Sequence, residues 1–199
     1  YSAPVLYNNK VIYATGSNGS VMAYHVGTWA LAWTVTGLSG GGILDTPLVY
    51  DEKLYFGGDS KLFCLNPDTG TTLWTVACGS RAATPSGVDG RIIVGTNGKL
   101  KAFDADTGDE IWNAGSNRFS IAAFAHGYAY ALNTQNKQGL KVFDLDDGSE
   151  VWTGTDSLDA YLRDNGPAIG WGLVICPGNT TNKITAYSPT KIGQPYLVQ

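Results

Sequence analysis

A unit of about forty residues recurs along the whole chain, and this repetition restricts the fold more than any other feature of the sequence. Trp33, Trp74, Trp112 and Trp152 close successive copies and Tyr196 takes the same slot in a fifth, at steps of 41, 38, 40 and 44 residues. Nine positions before each of these aromatics stands another large apolar residue: Tyr24, Leu65, Phe103, Phe143 and Tyr187. Gly70, Gly108 and Gly148 lie four positions before the aromatic in the three central copies. A period of this length implies stacked supersecondary units, none of which can bury its apolar faces alone.

Each copy breaks into four short β-type runs. In the second they are Pro47 to Tyr50, Lys53 to Phe56, Lys61 to Leu65 and Thr71 to Val76, separated by Asp51-Glu52, Gly57-Gly58-Asp59 and Asn66-Pro67-Asp68-Thr69-Gly70. Apolar runs bounded by Gly, Pro, Asn and Asp read as antiparallel strands joined by tight turns. Four such strands per repeat predict an all-β protein, a β-propeller of five four-stranded antiparallel blades. The expected blades cover about 1–35, 36–76, 77–114, 115–154 and 155–199, as one domain. The recurring indoles of Trp33, Trp74, Trp112 and Trp152, with Tyr196 in the last slot, are expected to dock each blade on its neighbour.

The third and fourth copies read Ala102-Phe103-Asp104-Ala105-Asp106-Thr107-Gly108-Asp109-Glu110-Ile111-Trp112 and Val142-Phe143-Asp144-Leu145-Asp146-Asp147-Gly148-Ser149-Glu150-Val151-Trp152. These resemble the tryptophan-docking repeat of the pyrroloquinoline-quinone-like β-propellers, the quinoprotein alcohol dehydrogenase-like fold. The first copy departs, with Gly27 and Trp29 displacing the Thr-Gly turn; the fifth carries Pro189 and Pro195 and lacks the Trp. The family commonly has seven or eight blades. Five therefore leave three expectations open: a small closed ring, a piece of a larger propeller, or a unit completed by another copy of itself.

That resemblance also frames the chemistry. Quinone-dependent members need a quinone, a divalent ion, adjacent cysteines and a catalytic Asp, whereas Cys64, Cys78 and Cys176 are scattered. No cofactor and no enzymatic activity are expected, since fold does not carry function. The acidic turns Asp104 to Glu110 and Asp144 to Glu150 superficially match a calcium loop. Asp and Thr capping a tight turn explain the same spacing without an ion, so no metal site is assigned. His25 and His126 have no companion ligand at metal-binding spacing. With 13 basic against 17 acidic side chains and a net charge of -4, the chain lacks the cationic excess that nucleic acid requires. No apolar run approaches a bilayer span.

Expected partner-binding residues lie on the loops between blades, 36–45, 77–83, 114–120 and 154–165, which carry Asp45, Arg81, Arg118, Asp159, Arg163 and Asp164. The stretch from Ser157 to Asp164 reads as one amphipathic helical turn and, as the longest insertion, as a recognition loop. Trp29 and Trp171 fall outside the docking slots and are either contact aromatics or core filling. Asn18 and Asn179 begin glycosylation sequons. Cys64 and Cys176 read as buried thiols and Cys78 as part of an exposed linker, with a Cys64 to Cys78 bridge left open. The abundance of Thr, Asn, Gly, Ser and Tyr, the sparse Lys and the sequons point to an extracellular or periplasmic setting with a processed N-terminus.

The function expected from these readings is a scaffold that binds another macromolecule through inter-blade loops or blade edges, as do family members that assist outer-membrane protein assembly. The alternatives are a self-assembling extracellular filament or lattice subunit, whose partners are copies of itself, and a carbohydrate-binding propeller using Trp29 or Trp171.

Overall fold

The computed structural model describes residues 2–15, 19–38, 45–58, 60–79, 83–135, 139–154, 166–177 and 184–188. Among them there is no helix, only nineteen strands. The first repeat contributes β1 (Val5–Tyr7), β2 (Lys10–Thr15), β3 (Ser20–His25) and β4 (Leu31–Val35). The second contributes β5 (Leu48–Tyr50), β6 (Lys53–Gly57), β7 (Lys61–Leu65) and β8 (Thr72–Ala77), and the third β9 (Ser86–Val88), β10 (Arg91–Gly95), β11 (Leu100–Asp104) and β12 (Glu110–Ala114). The fourth holds β13 (Ala123–Ala125), β14 (Tyr128–Asn133), β15 (Gly139–Asp144) and β16 (Glu150–Thr153); the fifth holds β17 (Ala168–Gly170), β18 (Leu173–Pro177) and β19 (Ile184–Tyr187).

Every repeat is one sheet whose strands neighbour each other in chain order. Four sheets have four strands and the fifth has three among the described residues; Tyr196, where a fourth was expected, lies outside them. This all-β succession of meanders, one per repeat, is the blade architecture the periodicity predicts.

The turn chemistry explains the hairpins. The first turn of each sheet has exactly two residues between strands, Asn8-Asn9, Asp51-Glu52, Asp89-Gly90, His126-Gly127 and Trp171-Gly172, all with positive φ. That is the I′ geometry whose twist matches the flanking strands. Glu52 and Trp171 adopt φ 57 and φ 55 there, a region that Asn or Gly enters more readily. The third turn is set by a side chain. Asp104 Oδ1 accepts the Asp106 and Thr107 amides at 2.9 and 2.8 Å, and Asn66 Oδ1 accepts those of Asp68 and Thr69 at 2.8 and 3.1 Å. These two donated amides hold the Asp104 carboxyl below the ordinary carboxylate range, Thr107 contributing most.

The described residues divide into two compact units, one of Tyr1–Ile92 with Phe103–Asp109 and the other of Ile93–Ala102 with Glu110–Gln199. In the first unit, Ile12, Val21, Ala23 and Trp33 of the first sheet share a core with Leu54, Phe56, Phe63 and Leu65 of the second. In the second unit, Tyr130, Leu132, Leu140 and Val142 of the fourth sheet share one with Val174, Cys176 and Tyr187 of the fifth. Alternate residues along each strand enter these cores, as the period of two requires.

One expectation about cysteine is corrected and one open alternative is resolved. Cys78 is fully buried, because its segment returns to the sheet: its amide donates to Ser60 O at 2.9 Å. No disulfide joins Cys64 to Cys78; all three cysteines are buried thiols. Burial pushes the Cys64 thiol up to about 11 and that of Cys176 up to about 12, which keeps both protonated and unreactive at neutral pH.

Candidate functional site

Three of the repeated aromatics occupy equivalent seats. Trp33 Nε1 donates to Pro67 O at 3.1 Å, Trp74 Nε1 to Ala105 O at 3.2 Å and Trp112 Nε1 to Leu145 O at 2.8 Å. Each acceptor lies in the third turn of the following repeat, and the indole lies close against that turn's glycine. A Cβ on Gly70, Gly108 or Gly148 would fall within 2.7–2.8 Å of the ring of Trp33, Trp74 or Trp112. These glycines thus do two things: they hold φ between 74 and 78 and they leave the space the indole fills. Trp152 instead meets Tyr187 edge to face at 5.6 Å. Tyr55 adds to the second of these seats, donating its hydroxyl to Ala105 O at 2.9 Å.

Ion pairs repeat at the same joints. Lys10 Nζ lies 2.6 Å from Asp68 Oδ1 and Lys53 Nζ lies 2.9 Å from Asp106 Oδ1, each lysine opening the second strand of one repeat and each acid sitting in the third turn of the next. The contact with Lys10 lowers the Asp68 carboxyl, and the bond to Asp106 raises the Lys53 ammonium. The acidic turns are therefore committed to backbone amides and neighbouring lysines. Among the described residues no three His, Cys, Asp or Glu side chains stand together as a metal would require.

Of the expected partner-binding residues, Asp45 and Arg118 are half-buried on their loops. The Arg118 carbonyl accepts the Thr134 amide at 2.8 Å, which ties this loop to the end of β14, while its buried Nε has no hydrogen-bond partner among the described residues. Arg81, Asp159, Arg163, Asp164, Tyr196, Asn18 and Asn179 lie outside the described residues, as does the expected helical turn from Ser157. Trp29 and Trp171 do not fill a core: they are 65% and 101% exposed, each in a turn at positive φ. An indole held in water on a tight, hydrogen-bonded turn is a rigid contact surface.

Sequence reasoning missed a further set. Leu73, Ile111 and Val151, each the residue before a docking Trp, are exposed on β8, β12 and β16, the last strands of their sheets. Their alternation with the less exposed Trp was the available signal.

The chain matches, over residues 58–191, the family described as outer membrane protein assembly factor BamB. Among solved structures it is similar to BamB from Moraxella catarrhalis, with 19% identity and a TM-score of 0.73, covering 94% of this chain and 59% of that one. The computationally designed Ika8 protein is similar at 16% identity and a TM-score of 0.74, over 94% of this chain and 57% of that one. The designed Ika4 protein is similar at 15% identity and a TM-score of 0.63, over 73% of this chain and 90% of that one. The chain thus spans somewhat more than half the length of the first two. No curated protein matches it.

Proposed function

The chain belongs to the family of the outer membrane protein assembly factor BamB, a family of pyrroloquinoline-quinone-like β-propellers, and from that premise we propose that it is a non-catalytic scaffold of the cell envelope that binds another protein. The family match across residues 58–191 is the observation that carries this reading. The loops between repeats are its contact surface. Asp45 and Arg118, with Arg81, Asp159, Arg163 and Asp164 in the same class of loop, offer charges of both signs to a polar partner. Anchoring of the Arg118 backbone by Thr134 lowers the ordering cost of binding there.

A second surface is favoured by the exposed aliphatics. Leu73, Ile111 and Val151 stand on outermost strands that, among the described residues, pair on one side only, and an extended peptide can add to such an edge through main-chain hydrogen bonds. A photo-crosslinking residue placed at Arg118 or at Ile111, in cells that make the protein, separates the two. Crosslinks to another envelope protein from Arg118 support the loops, and crosslinks from Ile111 support the edge. Their absence from both positions refutes the scaffold reading.

A further inference from the structure

Two polar atoms on adjoining segments of the second compact unit are buried without a hydrogen-bond partner among the described residues: Arg118 Nε, a donor, and Asn97 Oδ1, an acceptor. The Phe119 amide donates to Thr96 O at 3.3 Å. That bond joins the Arg118–Phe119 peptide to the Thr96–Asn97 peptide, so the two side chains leave from neighbouring peptide groups. Neither side chain makes a hydrogen bond or an ion pair among the described residues. Each of these atoms has lost water without gaining a partner, a cost that folded proteins seldom carry without a reason.

The backbone that carries the pair is held on both sides. The Thr134 amide donates to Arg118 O at 2.8 Å, the Ser120 amide to Leu132 O at 3.0 Å, and the Leu132 amide to Ser120 Oγ at 3.0 Å, which lays the segment after β12 along the end of β14. Gly115 makes the close approach that lets this segment turn: at φ 70 it has no Cβ, and one would fall 2.6 Å from the ring of the fully buried Phe119. Opposite it, Thr96 Oγ1 donates to Lys99 O at 2.9 Å and accepts the Lys99 amide at 3.0 Å, closing the turn that presents Asn97. Neither segment is free to carry its side chain away without breaking these bonds.

We propose that Arg118 and Asn97 form a seat for an amide group of the bound protein, its carbonyl accepting from Arg118 Nε and its N–H donating to Asn97 Oδ1. This rests on the reading that the loops between repeats are the contact surface, and it names the chemistry they select. A carboxylate would satisfy the arginine alone and would set a negative charge beside the Asn97 oxygen, which can only accept. An amide carries an acceptor and a donor together and so satisfies both atoms. Arg118 as a whole is half-buried, so its charge keeps contact with water and needs no counter-ion there; that charge strengthens its bond to a carbonyl. The amide comes from the main chain or from an Asn or Gln side chain of the partner.

Nuclear magnetic resonance of the whole chain tests it, with the Arg118 Nε–H and Phe119 amide signals as the readout. The probes are N-methylacetamide for a main-chain amide, acetamide for an Asn or Gln side chain, and acetate for a carboxylate. The expected result is a saturable movement of both signals with at least one amide, and acetate binding weaker by roughly tenfold, the scale of one hydrogen bond. Asn97→Leu should remove that preference, and Arg118→Lys, which keeps the charge without an Nε–H, should abolish the response of Phe119 to the amides. Acetate bound as tightly as the amides, an undiminished preference in Asn97→Leu, an unchanged response in Arg118→Lys, or no movement with either amide overturns the proposal. Any of these leaves crosslinks from Arg118 standing as support for the loops, whereas an intact amide response without crosslinks from either position faults the scaffold reading instead.

Discussion

The two faces of the first sheet are built from the same four strands, yet among the described residues only one of them is packed as a core. Ile12, Val21 and Ala23 point to one side and are buried with the second repeat; Val11, Tyr13 and Tyr24, their immediate neighbours in the strands, point to the other and stay half-exposed. The residues differ accordingly. The buried side is aliphatic, while the open side uses tyrosines, whose hydroxyls tolerate water and whose rings still favour a dry partner. Alternation decides that a blade has two faces; the neighbour decides which is a core.

The sharpest way to break this comparison is to remove a ring from each kind of face. Trp112→Ala should cost about 3–5 kcal/mol, since a buried aromatic and its hydrogen bond to Leu145 are both lost. Tyr13→Ala, on the open side, should cost about 1 kcal/mol. Equal shifts in chemical-denaturation midpoints would mean that the face assignment is wrong.

Next in size are two glycines with nearly the same backbone. Gly148 and Gly127 have φ of 74 and 80, but a Cβ on Gly148 meets the Trp112 ring at 2.7 Å and one on Gly127 meets nothing within 4 Å. Gly148→Ala should cost about 2–4 kcal/mol from strain plus overlap, and Gly127→Ala about 1 kcal/mol from strain alone. Thermal unfolding of the pair isolates the docking contribution from the conformational one.

The smallest effect compares turns. The folded state holds the Asp104 carboxyl below its ordinary range, so its stabilisation is present above the unfolded value and fades as pH falls through the folded one. Asn66 makes the same two bonds in the second repeat and cannot titrate there. Asp104→Asn should match the parent protein at neutral pH within about 0.5 kcal/mol and lose less stability on acidification. A steeper acid-induced drop in melting temperature would reverse the assigned sign.

Local chemistry made much of this legible. Turn residues punctuate strands within a few positions of one another, so strand order within each repeat could be read from Asp51-Glu52 or Asp104 to Gly108 alone. The candidate site was less readable. Arg118 could be placed on a loop but not half-buried there, and Leu73, Ile111 and Val151 looked like ordinary strand residues until their sheets had ends. Cys78 looked exposed because a linker position says nothing about where the linker returns.

What the sequence determined by itself was therefore the repeat, its strands and its turns, because these depend on residues close along the chain. Tertiary structure alone decided which faces are closed, that Trp29 is exposed and that Cys78 is inside, because burial is set by atoms that are distant along the chain.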